Sequence, residues 1–203
     1  MFDFSSAMHR LIDDISRFSP DFAHLRPEQM MVALSQARTS RRYGLYAKII
    51  SMRFQAGSFF LKQGRRTYEI ERLWREEREI LYIVYFVLPR FQNLDFNDKL
   101  TTIFHELFHV SPYFDGDIRR FPGAKYAHSC RKKNFDAQAR QMAGRYLQQT
   151  PHRELSDFLQ FDFRKLHNLH GQIVGQKIPI PKLKPVIDPV PQMEENGQLV
   201  LVY

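Results

Sequence analysis

The chain reads as an α+β protein in which a small mixed β-sheet packs against one central amphipathic helix and additional helices. Three observations predict this. "ILYIVYFVL", Ile80 to Leu88, is apolar throughout and stopped by Pro89, the pattern of a strand buried inside a sheet. "LYAKIISMRF", Leu45 to Phe54, is rich in β-branched and aromatic residues and partly alternating, which marks a second strand. In "LTTIFHELFHV", a turn of 100° per residue gathers Leu100, Ile103, Phe104, Leu107, Phe108 and Val110 on one arc. Thr102, His105, Glu106 and His109 fall on the opposite arc. With 203 residues, 43% apolar and including 18 Phe and 9 Tyr, the chain has core material for one substantial domain.

The remaining elements follow in order. "SSAMHRLIDDISRF" predicts an N-terminal amphipathic helix with Ser5 or Ser6 as its cap and Pro20 just past its end. "RPEQMMVALSQAR" predicts a second helix with Pro27 in its first turn. Gly57 and Gly64 punctuate loops, and "TYEIERL" predicts another strand. Asp95 or Asn97 is placed to cap the helix that carries the two histidines. A further helix is expected from about Asn134 to Gln149, ended by Pro151. From Lys177 the prolines multiply, so residues 177–203 are expected to form an extended arm ending in the short strand "QLVLVY", after a single domain over 1–176. That strand could pair with the sheet edge.

A single cysteine, Cys130, excludes an internal disulfide and a Cys-rich structural zinc site. No secretory layout opens the chain, and the longest apolar run is less than half of what crosses a bilayer as a helix. A cytoplasmic protein with no membrane partner is the expectation. The net charge of +8 comes in clusters, among them Arg41, Arg42, Lys62, Arg65 and Arg66, and favours polyanions such as nucleic acid.

The chemistry concentrates at His105, Glu106 and His109. Positions 105 and 109 lie one helical turn apart, so both imidazoles can meet one zinc ion. Glu106 points about 100° away from His105, where a carboxylate can hydrogen-bond a metal-bound water and take its proton. Catalytic zinc needs a third protein ligand, and Asp115, His128 and Asp136 are the candidates downstream. Asp115 stands where some H-E-x-x-H enzymes place theirs, but Pro112 replaces the glycine that turns their chain, and Asp115-Gly116 reads as a turn. His128 supplies the nitrogen donor zinc prefers, and Asp136 suits a helix cap or a carboxylate orienting a ligand. His167 and His170, in "HNLHG", lack a carboxylate at catalytic spacing.

"FHELFHVSPYFDGDIRRFPGAKYAHSCRKKNFDAQARQMAGRYL" resembles the core of the zincin metallopeptidases. It is closest to metallopeptidase-like proteins of bacteria and phages and, more distantly, to the SprT-like peptidases. Those carry H-E-L-x-H on one helix and a histidine from the loop that opens the next. The resemblance spans roughly Ile80 to Leu147 and implies a zincin-like fold with one catalytic zinc ion on His105, His109 and His128. It implies peptide hydrolysis, with Glu106 accepting a proton from the attacking water and returning it to the leaving amine. The chain lacks the cysteines of a SprT-like zinc ribbon, which loosens any transfer of a DNA link.

Tyr113, Tyr126 and Arg119 are candidate stabilisers of the oxyanion. An exposed sheet edge beside the helix could take an extended peptide by strand addition. The proline-rich arm reads as a passive surface segment, or as a lid if it lies across that cleft. A protein or peptide substrate is therefore expected, with a basic nucleic-acid-binding protein or a catalytically silent zincin-fold scaffold as the competing readings.

Overall fold

The computed structural model describes residues 1–37, 44–120, 132–186, 190–193 and 199–202, with the backbone alone for 132–134 and the last two segments. Arg41, Arg42, Tyr126, His128 and Cys130 lie outside the described residues. In chain order the elements are β1 (Phe2–Asp3), α1 (Phe4–Phe18), β2 (Met30–Gln36), β3 (Ala47–Ser51), β4 (Phe60–Gln63), β5 (Arg66–Ile70), β6 (Leu73–Arg75), β7 (Arg78–Ile80) and β8 (Tyr82–Leu88). There follow α2 (Phe96–Phe108), α3 (Lys132–Gln149), α4 (Phe163–His170), β9 (Ile173–Val174), β10 (Leu183–Pro185), β11 (Val190–Met193) and β12 (Leu199–Val202). This is a mixed α+β architecture with several small sheets. Among the described residues no helix is long and apolar enough to cross a membrane.

Of the apolar run Ile80–Leu88, Tyr82–Leu88 forms the central strand β8, while Ile80 ends β7. β8 pairs with β2 in parallel and with β3 in antiparallel, and every residue of it is buried. Its alternate side chains supply two cores. Tyr82, Val84, Phe86 and Leu88 face the helices, where they meet Phe4, Leu11, Phe91, Leu107 and Phe104. Ile83 and Tyr85 face the other way, against Ala33, Met52, Ile50 and Ile178. A strand buried on both faces needs layers above and below it, and here the second layer is thin.

Four expectations change. The helix expected over "RPEQMMVALSQAR" is one 3₁₀ turn, Pro27–Gln29, followed by strand β2. Met, Ala, Leu and Gln favour helix locally, but β8 needs a partner on each side, and period-2 burial of Met30 and Val32 satisfies that tertiary demand. The cap of α1 is Asp3, not Ser5 or Ser6: its carboxylate accepts the Ser6 N–H at 3.0 Å and the Ser6 hydroxyl at 2.7 Å. "TYEIERL" divides between β5 and β6. Strand β12 pairs with β11 as a hairpin, and it is β10 that joins the arm to an existing strand, β5.

The arm's described course also bears on a lid. Ile178 packs into the second core and Tyr85 donates its hydroxyl to the Pro179 carbonyl at 3.2 Å, on the sheet face turned away from α2. Among the described residues, none of the arm lines the cleft beside α2.

Candidate active-site cleft

Helix α2 is capped as one of the two expected residues allows. The Asp95 carboxylate accepts the Asp98 N–H at 2.8 Å. Its apolar arc is fully used: Leu100, Ile103, Phe104, Leu107, Phe108 and Val110 are all buried. The helix stops at Phe108, yet His109 keeps helical backbone angles (φ −72°, ψ −14°), so the one-turn spacing survives its end. The rings of His105 and His109 stand 5.0 Å apart, centroid to centroid.

Thr102, His105, Glu106 and His109 form the floor of a cleft of about 720 Å³. One wall is the chain from Gly44 to Ile49, the entry into β3, and the other is the face of α3 carrying Asp136 and Arg140. Gly44 is needed where it stands: φ is +141°, and a Cβ there would sit 2.7 Å from the Arg90 guanidinium, which donates to the Leu45 carbonyl. Arg140 and Asp98 bridge the cleft between α3 and α2 at 2.9 Å.

β3 is the outer strand of its sheet, so it turns one backbone edge to the cleft. Ile49 N–H crosses that edge to Glu106 Oε2 at 2.9 Å. Burial pushes the Glu106 carboxyl up to about 7, and the Ile49 N–H bond only partly offsets it. A cation held beside it would favour the carboxylate again.

The two histidines are backed by the start of α3. His105 Nδ1 donates to Asp136 Oδ1 at 2.8 Å. The Phe135 ring lies 4.6 Å from His105 and 4.9 Å from His109, nearly parallel to the latter at 22°. Asp136, which the sequence left open between helix cap and ligand partner, is thus hydrogen-bonded to His105.

The chain leaving α2 is held by Asp117, whose carboxylate accepts from Ala56 N–H at 3.0 Å and Arg120 Nε at 2.7 Å. Tyr82 donates its hydroxyl to the Asp117 carbonyl at 2.8 Å and accepts the Gly116 N–H at 3.0 Å. Asp115 sits in the expected turn, accepting the Asp117 N–H, and is not part of the cleft lining. Of the candidate oxyanion stabilisers, Tyr113 is 85% exposed and Arg119 donates to the Phe108 carbonyl at 2.8 Å, closing the end of α2; neither lines the cleft. Lys62, Arg65 and Arg66 are exposed on the β4–β5 hairpin, away from the cleft lining.

Sequence reasoning missed the Ile49–Glu106 contact, the Phe135 backing and the Asp98–Arg140 bridge. Each joins residues 26 to 57 positions apart, for which one sequence holds no pairing signal. No protein-family model matches the chain, and no curated protein or solved structure matches it either.

Proposed function

We propose that the chain is a zinc-dependent peptidase with a zincin-like active site, in which His105, His109 and His128 hold the metal and Glu106 is the general base. The observation that carries this reading is the placement of both imidazoles and the Glu106 carboxylate on the cleft face of one helix, with the His rings 5.0 Å apart. The donor chemistry fits. Two imidazoles, one of them tied at its far nitrogen to a carboxylate, form the nitrogen-rich set that zinc favours. Bound zinc supplies Lewis acidity toward a scissile carbonyl and toward water.

The chain's own residues supply the rest. Glu106 Oε2 is tied to Ile49 N–H, so Oε1 is the oxygen that exchanges a proton with the attacking water and the leaving amine. Beside the Ile49 N–H taken by Glu106, the outer edge of β3 offers backbone groups at Ala47 for an extended peptide laid along the cleft. The apolar wall around Leu45, Leu94 and Ile118 suits side chains of that peptide and limits water.

Metal analysis of protein purified without a histidine tag tests this. One zinc per chain is expected, lost on His105→Ala. A chain that carries no zinc, or keeps it after that substitution, ends the proposal.

A further inference from the structure

Asp136 is not a cap. Helix α3 begins at Lys132, so Asp136 stands past its first turn, where a carboxylate has no helix-terminal N–H to accept. Its oxygen instead reaches across to α2 and accepts a hydrogen bond from His105 Nδ1–H; the His105 side chain is only 14% exposed while that of Asp136 is 41% exposed. With Nδ1 so committed, any bond from this ring to a cation is made by Nε2. The preceding residue does a second job. Phe135 is 4% exposed and fits between three rings, at 4.6 Å from His105, 4.9 Å from His109 and 5.0 Å from Phe108. One turn further along α3, Arg140 reaches Asp98 at 2.9 Å, so a second cross-link fixes the register of the two helices.

We propose that the Phe135–Asp136 pair presets the metal-binding face of α2: Asp136 is a positioning residue that fixes the tautomer and azimuth of His105, and Phe135 holds both ring planes. The inference rests on the reading of His105 and His109 as ligands and assigns the part of the molecule that prepares them. Ligand imidazoles held by an outer carboxylate gain affinity because less rotational freedom is lost on binding and the donor nitrogen becomes more basic. Two neighbouring residues on one rigid helix make the preparation a single docking event between α2 and α3.

The test uses the full chain labelled with ¹⁵N-histidine, with the His105 signals assigned by their loss in His105→Ala. In metal-free protein, His105 is expected with its proton on Nδ1, and Asp136→Ala is expected to shift it to a mixture or to Nε2–H. Zinc affinity, read by competition with a chromogenic chelator, is expected to fall roughly 10–100-fold in Asp136→Ala. Asp136→Asn, which keeps an acceptor without charge, should retain the tautomer and lose less affinity. Phe135→Leu should leave the tautomer in place and weaken zinc by a smaller factor.

An unchanged tautomer and unchanged affinity in Asp136→Ala overturn the inference; if the alanine variant does not fold, Asp136→Leu, which also removes the acceptor but keeps the side chain's bulk, takes its place with the same two outcomes. If the parent protein binds no zinc, the peptidase reading fails, and the metal-free tautomer still reports whether Asp136 sets the ring.

Discussion

Helix α3 is fastened near both ends by a histidine–aspartate hydrogen bond, and the two are built in opposite senses. Near its start, His105 meets Asp136 at 2.8 Å, with the histidine 14% and the aspartate 41% exposed. Just past its end, His152 meets Asp14 at 2.7 Å, with the histidine 50% and the aspartate 4% exposed. A buried carboxylate must be satisfied, and Asp14 is: it also accepts hydroxyls from Tyr146 and Thr150. Its partners serve the acid, which ties α1 to the end of α3. At the other end the acid serves the imidazole, and the imidazole faces a cleft. Which partner is buried separates a structural staple from a prepared site.

That contrast predicts a division of labour between the ends. The largest effect belongs to Glu106, beside the prepared histidine. Glu106→Gln is expected to lower the rate of peptide cleavage by about 10²–10⁴-fold. The amide oxygen can still accept the Ile49 N–H, so thermal stability should hold, and zinc content should hold as well. Full cleavage by the Gln variant would remove Glu106 from the chemistry, whereas no cleavage by parent and variant alike would leave a silent metal-binding scaffold.

The staple should behave in reverse. Asp14→Ala leaves the Tyr146 and Thr150 hydroxyls without their acceptor in a buried setting, at a cost of roughly 2–4 kcal/mol. For a chain of this size that lowers Tm by about 5–15 °C in a calorimetric scan. Cleavage per folded molecule at low temperature should be unaffected. Equal stability of Asp14→Ala and the parent would mean that the buried contact holds nothing.

Acid sharpens the same point. Burial by itself raises the Asp14 carboxyl, but the hydrogen bonds from Thr150, Tyr146 and His152 outweigh it and leave the group below its ordinary value of 3.8. The unfolded chain therefore binds more protons than the folded one in this range. The stabilisation is present above the ordinary carboxylate range and is lost as pH falls through the lowered value. Urea unfolding from about pH 5 to pH 3 should show the parent losing more stability than Asp14→Asn. Parallel curves would assign the acid sensitivity to other carboxylates.

The sequence showed what is local and periodic. Ile80–Leu88 announced a buried strand because it is an unbroken run of aliphatic and aromatic residues with no charge, and α2 announced itself because its apolar arc is complete. His105, Glu106 and His109 were legible as a constellation since one helix carries all three. β2 was not, because its residues favour helix and only pairing with β8 makes them a strand. Asp136 was legible as an orienting acid but not as the partner of His105, since α3 must dock before the two meet. The Asp14 staple, with partners 132 to 138 positions away, left no sequence trace.

The smallest effect expected lies on the β4–β5 hairpin, where the sequence reading placed a nucleic-acid contact. Lys62, Arg65 and Arg66 are exposed there, with Glu69 the one carboxylate in residues 60–70. A small cluster of solvated cations names no ligand by itself. Replacing all three by alanine should change stability by no more than about 0.5 kcal/mol per site. Contact of all three with phosphates would instead lower the slope of log affinity against log salt for a single-stranded oligonucleotide by about 2. We expect no change in slope; a loss of that size would make the hairpin a second functional region, remote from the cleft and independent of its metal chemistry.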